Sequence, residues 1–377
     1  MKYTLKLAII GASYLQLPLV LKAKEIGIQT ICFAWEEGAV CKNVADMFYP
    51  ISIIEKKQIL EVCRKEKIDG ITTIATDVAV PTIAFVAQEL GLVGNSIDCA
   101  YKSTNKYAMR KALKDSGVNC PSFSLVHNIE EARKALDEIG LPAIIKPCDR
   151  SGSMGVTKIE SDDQLPSAVE NAITASFAKT AILEQFIDIA REISVEGISW
   201  KSEHYVLAVT DKVTTGAPHY VELGQHQPSQ LPKNVIDEAI QQVKLGVKAL
   251  GIEYGASHPE LMIDKNGHVF VTEIGARMGG DFIGSDLVYL STGYDFLKGV
   301  IEVALGQFTP PKRKWSKAAG VWFYSPVTPT VKDLINNRAS HPEIVRWELH
   351  EDELKQLTRS ADRAGYFIYC SDHKITL

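Results

Sequence analysis

Residues 256–281 read ASHPELMIDKNGHVFVTEIGARMGGD. Two apolar runs, Ala256–Ile263 and His268–Ile274, flank Asp264-Lys265-Asn266-Gly267, and Asn-Gly between such runs signals a β-hairpin. Each run carries one carboxylate among apolar neighbours, Glu260 in PELMI and Glu273 in VFVTEIG. On paired strands the two can face the same side, and two oxygen donors with open positions suit Mg²⁺, which takes its other ligands from water and phosphates. The plain alternative is a pair of solvent-facing glutamates. Arg277 follows Glu273 closely, beside Gly279 and Gly280, so its guanidinium could fork onto a carboxylate or a developing phosphate charge. A structural arginine capping the turn is the other reading.

Upstream of the hairpin, Lys146 ends an apolar strand, Ala143–Pro147, and precedes Asp149-Arg150-Ser151-Gly152-Ser153-Met154-Gly155. A glycine and serine loop can turn backbone N–H groups toward phosphate oxygens, with the lysine as a fixed charge beside it. The G-K-[ST] helix start of a Walker A loop is missing, so a plain surface hairpin stays open. Around it, a helix at Ile129–Ile139, a strand at Val156–Ser161, a helix at Gln164–Ala178 and a strand at Ala181–Phe186 make a compact α+β unit. Long strands at Arg191–Ser199 and His204–Val213 follow, then an irregular Gly/Pro/His-rich stretch, Thr214–Pro232, expected to be a functional loop. A helix over Val235–Leu250 leads back to the hairpin.

The first hundred residues alternate strand and helix: Leu5–Ile10, Tyr14–Ile26, Ile28–Trp35, Lys56–Glu66, Ile68–Ala75 and Val78–Leu90. This order implies a doubly wound parallel sheet of three main strands with right-handed crossovers. Gly11-Ala12-Ser13 lacks the G-x-G-x-x-G spacing and reads mainly as a tight turn. Beyond Pro310-Pro311 a small C-terminal unit is expected, with strands near Gly320–Tyr324, Ile344–Leu349 and Gly365–Cys370. The chain thus divides as 1–102, 103–309 and 310–377, with a compact subdomain at about 120–188.

The 377 residues are 46% hydrophobic and 23% charged with a net charge of −5, which excludes a disordered or fibrous chain and gives no basis for nucleic-acid or anionic-membrane partners. The seven cysteines are odd in number and widely spaced, as in reduced thiols of a cytoplasmic protein. Lys2 and Lys6 before Leu7–Leu21 mimic a signal peptide, but Gly11, Gln16 and Pro18 interrupt the run. No uncharged stretch reaches the roughly 20 apolar residues of a membrane span.

In their order along the chain, these elements resemble the ATP-grasp superfamily: an α/β unit, Lys106 on a helix, Lys146 before a small-residue loop, Glu184-Gln185-Phe186-Ile187, Glu192, Glu260, Glu273 and Arg277. The resemblance implies an ATP-grasp fold with an N-terminal pre-ATP-grasp domain, a lid and a central domain. It implies that Lys106 and Lys146, with Ser151, Gly152, Ser153 and Gly155, meet the nucleotide phosphates. Glu184, Phe186 and Ile187 would meet adenine, Glu192 the ribose, and Glu260 with Glu273 the Mg²⁺ or Mn²⁺. Lys212 is similar to an additional phosphate lysine of some members. Gly275 stands where many members carry Asn. Ala276-Arg277-x-Gly279-Gly280 and the stretch 214–222 resemble L-amino acid ligases, with Arg277, Gly279, Gly280, Glu222 and His226 toward the substrate. The layout is also shared with the large subunit of carbamoyl-phosphate synthase. The implied activity is an ATP-dependent carboxylate–amine ligase acting through an acyl phosphate, releasing ADP and phosphate, with an amino acid as one substrate. Small-molecule acid and amine partners and a homodimer accompany it. A bicarbonate- or formate-activating enzyme and an inactive ATP-binding protein are the alternatives.

Overall fold

The computed structural model describes residues 4–150, 154–216, 219–350 and 354–377. Its first unit is a parallel sheet of four strands, β1 (Lys6–Ile10), β2 (Gln29–Phe33), β3 (Met47–Tyr49) and β4 (Gly70–Thr72), in the order β3-β2-β1-β4. Leu7 and Ile9 pack with Leu19, Val20 and Ala23 on one face, while Ala8, Ile10, Ile31 and Phe33 meet Ile59, Leu60 and Cys63 on the other. Strands buried on both faces show no alternation, which is why they read as apolar runs. The sheet has one strand more than the three expected. Met47–Tyr49 is an edge strand too short to show a period, stopped by Pro50.

A second, antiparallel sheet holds β5 (Phe123–Val126), β6 (Ala143–Pro147), β7 (Thr157–Ile159) and β8 (Ala181–Gln185), ordered β5-β8-β6-β7. Helices Ile129–Ile139 and Leu165–Ala175 supply Ala132, Leu136, Val169 and Ala172 to the core against Ile145 and Leu183. The Asn128 side chain accepts from Glu131 N at 2.9 Å and sets the first helix start. Ser96 likewise caps an unexpected helix, Ile97–Thr104, accepting from Cys99 N at 3.0 Å. β5 is also unexpected; its four residues leave too little sequence for a strand signal.

The largest sheet has eight antiparallel strands: β9 (Ile189–Trp200), β10 (Glu203–Thr214), β11 (Glu222–Gln227), β12 (Gly255–Asp264), β13 (Val269–Gly275), β14 (Ala318–Phe323), β15 (Ile344–Leu349) and β16 (Gly365–Ser371). Their order is β13-β12-β9-β10-β11-β14-β16-β15, so the C-terminal strands continue the central sheet through the β11–β14 ladder. The stretch 214–232 is therefore not a loop throughout, since its middle is an interior strand. Glu-Leu-Gly-Gln-His-Gln hides this, because its buried residues are polar, and Gln227 and one ring nitrogen of His226 find their partners on distant segments. Gln227 donates to Thr210 at 2.9 Å and accepts from Ser291 at 2.9 Å, and His226 Nδ1 meets the Tyr369 hydroxyl at 3.0 Å.

Helix Lys233–Leu250 covers one face of the sheet with Val235, Ala239, Val243 and Val247 against Ile193, Val195, Leu261 and Val271. The other face meets helix Phe296–Ala304 and the first unit, where Ile198, Val300 and Ile301 join Leu7 and Ile9 in one core. No described helix is long and apolar enough to cross a membrane, and all seven cysteines are free.

Candidate active site

Register brings the charged residues together. Glu260 on β12 is the direct cross-strand partner of Glu273 on β13, and Lys212 on β10 pairs with Glu192 on β9. The two hairpin glutamates are thus neighbours on adjacent strands. Buried Lys212 lies 2.6 Å from Glu260, 2.8 Å from Glu192 and 3.8 Å from Glu222. Burial alone would lower its pKa; Glu260, Glu192 and Glu222 together hold it well above the ordinary lysine value. Glu260 shows the converse. Burial opposes its charge, but Lys212 and His258 hold its carboxyl well below the usual range.

His258 and Glu196 have no place among the expected residues. His258 Nδ1 lies 2.8 Å from Glu196, whose Oε1 also accepts from Ser194 at 2.8 Å, and His258 Nε2 lies 3.5 Å from Glu260. Despite burial, the two carboxylates raise this imidazole to about 9, so it is a cation at neutral pH. Gly279 fits against this pair, since a Cβ there would lie 2.7 Å from His258 Nδ1 and 3.1 Å from Glu196 Oε2. The glycine serves the close approach of side chains. Gly280 backs onto Ala75, to which a Cβ would lie 3.3 Å away.

Lys106 enters from a helix and Lys146 from the second sheet. Lys106 begins helix Lys106–Asp115 and lies 3.4 Å from Glu273, while donating to the Arg150 carbonyl at 3.0 Å. Burial opposes the charge on Lys106, but Glu273 and Asp77 hold its pKa above the ordinary value. Lys146 on β6 lies 2.6 Å from Glu184 on β8. Its burial wins over Glu184, and its pKa falls below the ordinary value. Glu184 is itself buried, with Arg110 at 2.8 Å on its other oxygen. Its carboxylate is thus engaged by two cations, and Phe186 lies under Lys158 at 4.4 Å. Ile187 is buried and Gly155 turns the chain toward β7. Ser151, Gly152 and Ser153 lie outside the described residues.

Two substrate-side expectations change. His226 faces away from this cluster: it pairs with Asp211 while its neighbour Gln225 pairs with Lys212, and alternation sends the two to opposite faces. Its ring packs 4.6 Å from Trp322 and is pushed down to about 3 by burial, then Lys374. It is a neutral core residue, and Gln225 occupies the cleft face instead. The Arg277 fork is occupied by the chain's own Asp77, with Nε donating at 2.8 Å and Nη2 at 2.7 Å. Asp77 also accounts for Gly275, because a Cβ there would lie 2.9 Å from its Oδ1. Glu222 accepts from Ser360 at 3.2 Å; burial raises its pKa although Lys212 opposes. A second fork closes the cleft, with Arg363 donating to Asp281 at 2.8 and 2.9 Å and lying 3.7 Å from the Phe323 ring centroid.

The missed residues differ in how readable they were. Arg110 sits one helical turn after Lys106, a legible i,i+4 relation. Asp281 follows the Gly279-Gly280 pair, whereas Asp77 and Arg363 come from distant segments with no local signal. No three His, Cys, Asp or Glu side chains among the described residues form a ready metal cluster. Glu260 and Glu273 are hard oxygen donors on adjacent strands, a fit for Mg²⁺ that takes its remaining ligands from phosphates.

Residues 139–286 match the family model for the ATP-grasp domain. That stretch of the chain is an ATP-grasp domain. Alanine–anticapsin ligase of Bacillus subtilis (strain 168) is 29% identical over 274 residues, covering 63% of this chain and 57% of the ligase. The chain therefore spans little more than half the length of that relative. Formate-dependent phosphoribosylglycinamide formyltransferase of Hydrogenovibrio crunogenus is 28% identical over 283 residues, 73% of this chain and 70% of the relative. The crystal structure of an L-amino acid ligase from Bacillus licheniformis has a TM-score of 0.81 at 23% identity, covering 99% of this chain and 95% of the other, and shows that the ATP-grasp fold extends over the whole chain.

Proposed function

We propose that this ATP-grasp protein is an ADP-forming carboxylate–amine ligase with an amino acid as one substrate. The observation that carries the reading is the meeting of Lys106 with Glu273 and of Lys212 with Glu260 across the paired strands, with Lys146 close to Lys106. Cations of this kind suit a triphosphate, and carboxylates beside them suit its metal. In the first step a substrate carboxylate oxygen attacks the γ-phosphorus of ATP; the bond to the β–γ bridging oxygen breaks, leaving an acyl phosphate and ADP. In the second, an amine attacks the acyl carbon, phosphate departs, and the nitrogen loses a proton as the amide forms. Mg²⁺ held by Glu260 and Glu273 would neutralise phosphate charge.

The remaining work is positioning. Lys106 and Lys146 fix the phosphates, with the backbone around Gly155. Lys212 stands beside Glu192 and Glu260, between the ribose and metal ends of the site. Arg277, held rigid by Asp77, presents positive charge to the reacting carboxylate. Glu222 is placed to meet the ammonium of an amino acid. A second reading keeps the acyl phosphate but uses formate or bicarbonate. It is favoured by the self-occupied Arg277 fork and the raised Glu222, and by similarity to the formate-dependent relative. Phosphate release over amino acid pairs, formate and bicarbonate with Mg·ATP, followed by product mass, separates the two. Release only with an amino acid pair and a product of dipeptide mass supports the ligase, whereas release with formate or bicarbonate alone supports the second reading.

A further inference from the structure

Arg110 has no part in the function proposed so far, although its side chain is fully buried. It lies 2.8 Å from Glu184, which lies 2.6 Å from Lys146; the three side chains are 0%, 4% and 16% exposed. Among the described residues, Glu184 is the one acid at ion-pair distance from Arg110, and no atom of the guanidinium has a hydrogen bond of good geometry. On its helix, Met109 and Leu113 are both in the core. For stability alone, replacing both members of a buried ion pair by hydrophobic residues is often neutral or favourable. The arginine therefore calls for an explanation other than packing.

We propose that Arg110 is a positioning residue that lets Lys146 exchange Glu184 for a nucleotide phosphate. The inference rests on reading the cleft as a nucleotide site. Lys146 is bonded to Glu184 at 2.6 Å. To reach a phosphate, the ammonium must give up some of that contact. Were Lys146 the only partner, its departure would leave a buried carboxylate uncompensated, and nucleotide binding would bear that cost. Arg110 removes the conflict by staying on the opposite oxygen. Burial acts to raise the Glu184 pKa, and Arg110, ahead of Lys146, overcomes it and holds the carboxyl below its ordinary value. The acid stays ionised, and Lys146 is guided without being captured.

The test is nucleotide affinity by calorimetry, with thermal melting alongside, for wild type, Arg110→Gln, Arg110→Lys, Glu184→Gln and the Arg110→Gln/Glu184→Gln pair. Arg110→Gln should weaken ATP binding about tenfold, since Lys146 is then the sole partner of Glu184. KM for ATP should rise with it, while KM for the acceptor stays as in wild type. Arg110→Lys, retaining the charge, should recover much of the affinity. The double variant should bind ATP better than Arg110→Gln, because a neutral amide in place of the Glu184 carboxylate no longer holds Lys146. Independent, additive losses in the two single variants would overturn the proposal, as would wild-type affinity in Arg110→Gln. If Arg110→Gln does not fold, the comparison of Arg110→Lys with Arg110→Lys/Glu184→Gln reads the same coupling. A wild-type chain that binds no ATP would refute the nucleotide reading itself, an outcome distinct from ATP binding that ignores Arg110.

Discussion

Lys212 has three carboxylates within 3.8 Å, and no single one of them accounts for its place. Replacing it by Met removes the cation that favours the ionised forms of Glu260 and Glu222, so both take up a proton at higher pH. The acid limb of the pH–rate profile should move upward, and kcat should fall by about a hundredfold or more. An unshifted acid limb in Lys212→Met would count against the cluster. His258 adds a pH effect of definite sign. Its folded value is about 9 against an ordinary 6.5, so its stabilising contribution is complete below 6.5 and is lost as pH climbs through 9. Metal-free wild type should lose up to about 3 kcal/mol relative to His258→Gln over that window. Denaturant titrations of both proteins at pH 6 and pH 9.5 measure it, and parallel behaviour would contradict the dyad.

At the scale of elements, readability followed local chemistry. Helix Ile129–Ile139 was visible because Asn128 caps it, Gly140 follows it and its apolar residues keep one face. The β12–β13 hairpin was visible through Asn266-Gly267, and its pairing of Glu260 with Glu273 could be anticipated. β11 was not visible. Its partners, Thr210, Ser291 and Tyr369, lie 17, 64 and 143 residues away, so nothing near it in sequence explains a buried Gln or His. The strand yields its own prediction. Gln227→Leu keeps an apolar volume but leaves Thr210 and Ser291 without their partner, and should lower stability by about 1–3 kcal/mol with little change in KM. Equilibrium unfolding combined with steady-state kinetics checks it. His226→Gln should likewise cost stability more than turnover, the reverse of what a substrate residue would show.

Across the whole molecule, the cleft is assembled from five parts of the chain: Asp77 after β4, Lys106 at the start of its helix, Lys146 and Glu184 on the second sheet, the central strands with the turn after β13, and Arg363 before β16. The second sheet and the central strands were readable from the sequence, because each has a charged residue set in an apolar strand. The forks were hidden, since Asp77 and Arg277 are 200 residues apart and Asp281 and Arg363 are 82 apart. Pairing across such distances has no periodicity to reveal it. The first fork also joins the N-terminal unit to the turn after β13, so it is a mechanical link as well as a local charge pair. Asp77→Asn should uncouple them, lowering stability by about 3 kcal/mol through an unpaired Arg277 and reducing kcat more than it raises KM for ATP. Matched falls in stability and kcat in Arg277→Lys would support the link, whereas a silent Asp77→Asn would remove it.

In the proposed function, a carboxylate bound in this cleft takes the terminal phosphoryl group of ATP. Isotope transfer tests this most directly. An acid substrate labelled with ¹⁸O in its carboxylate is turned over with Mg·ATP, and the phosphate released is examined by mass or ³¹P shift. One labelled oxygen is expected in inorganic phosphate per amide formed, with unlabelled ADP as the nucleotide product and no transfer in Glu273→Gln. Label in AMP, or phosphate released without any label, would contradict it.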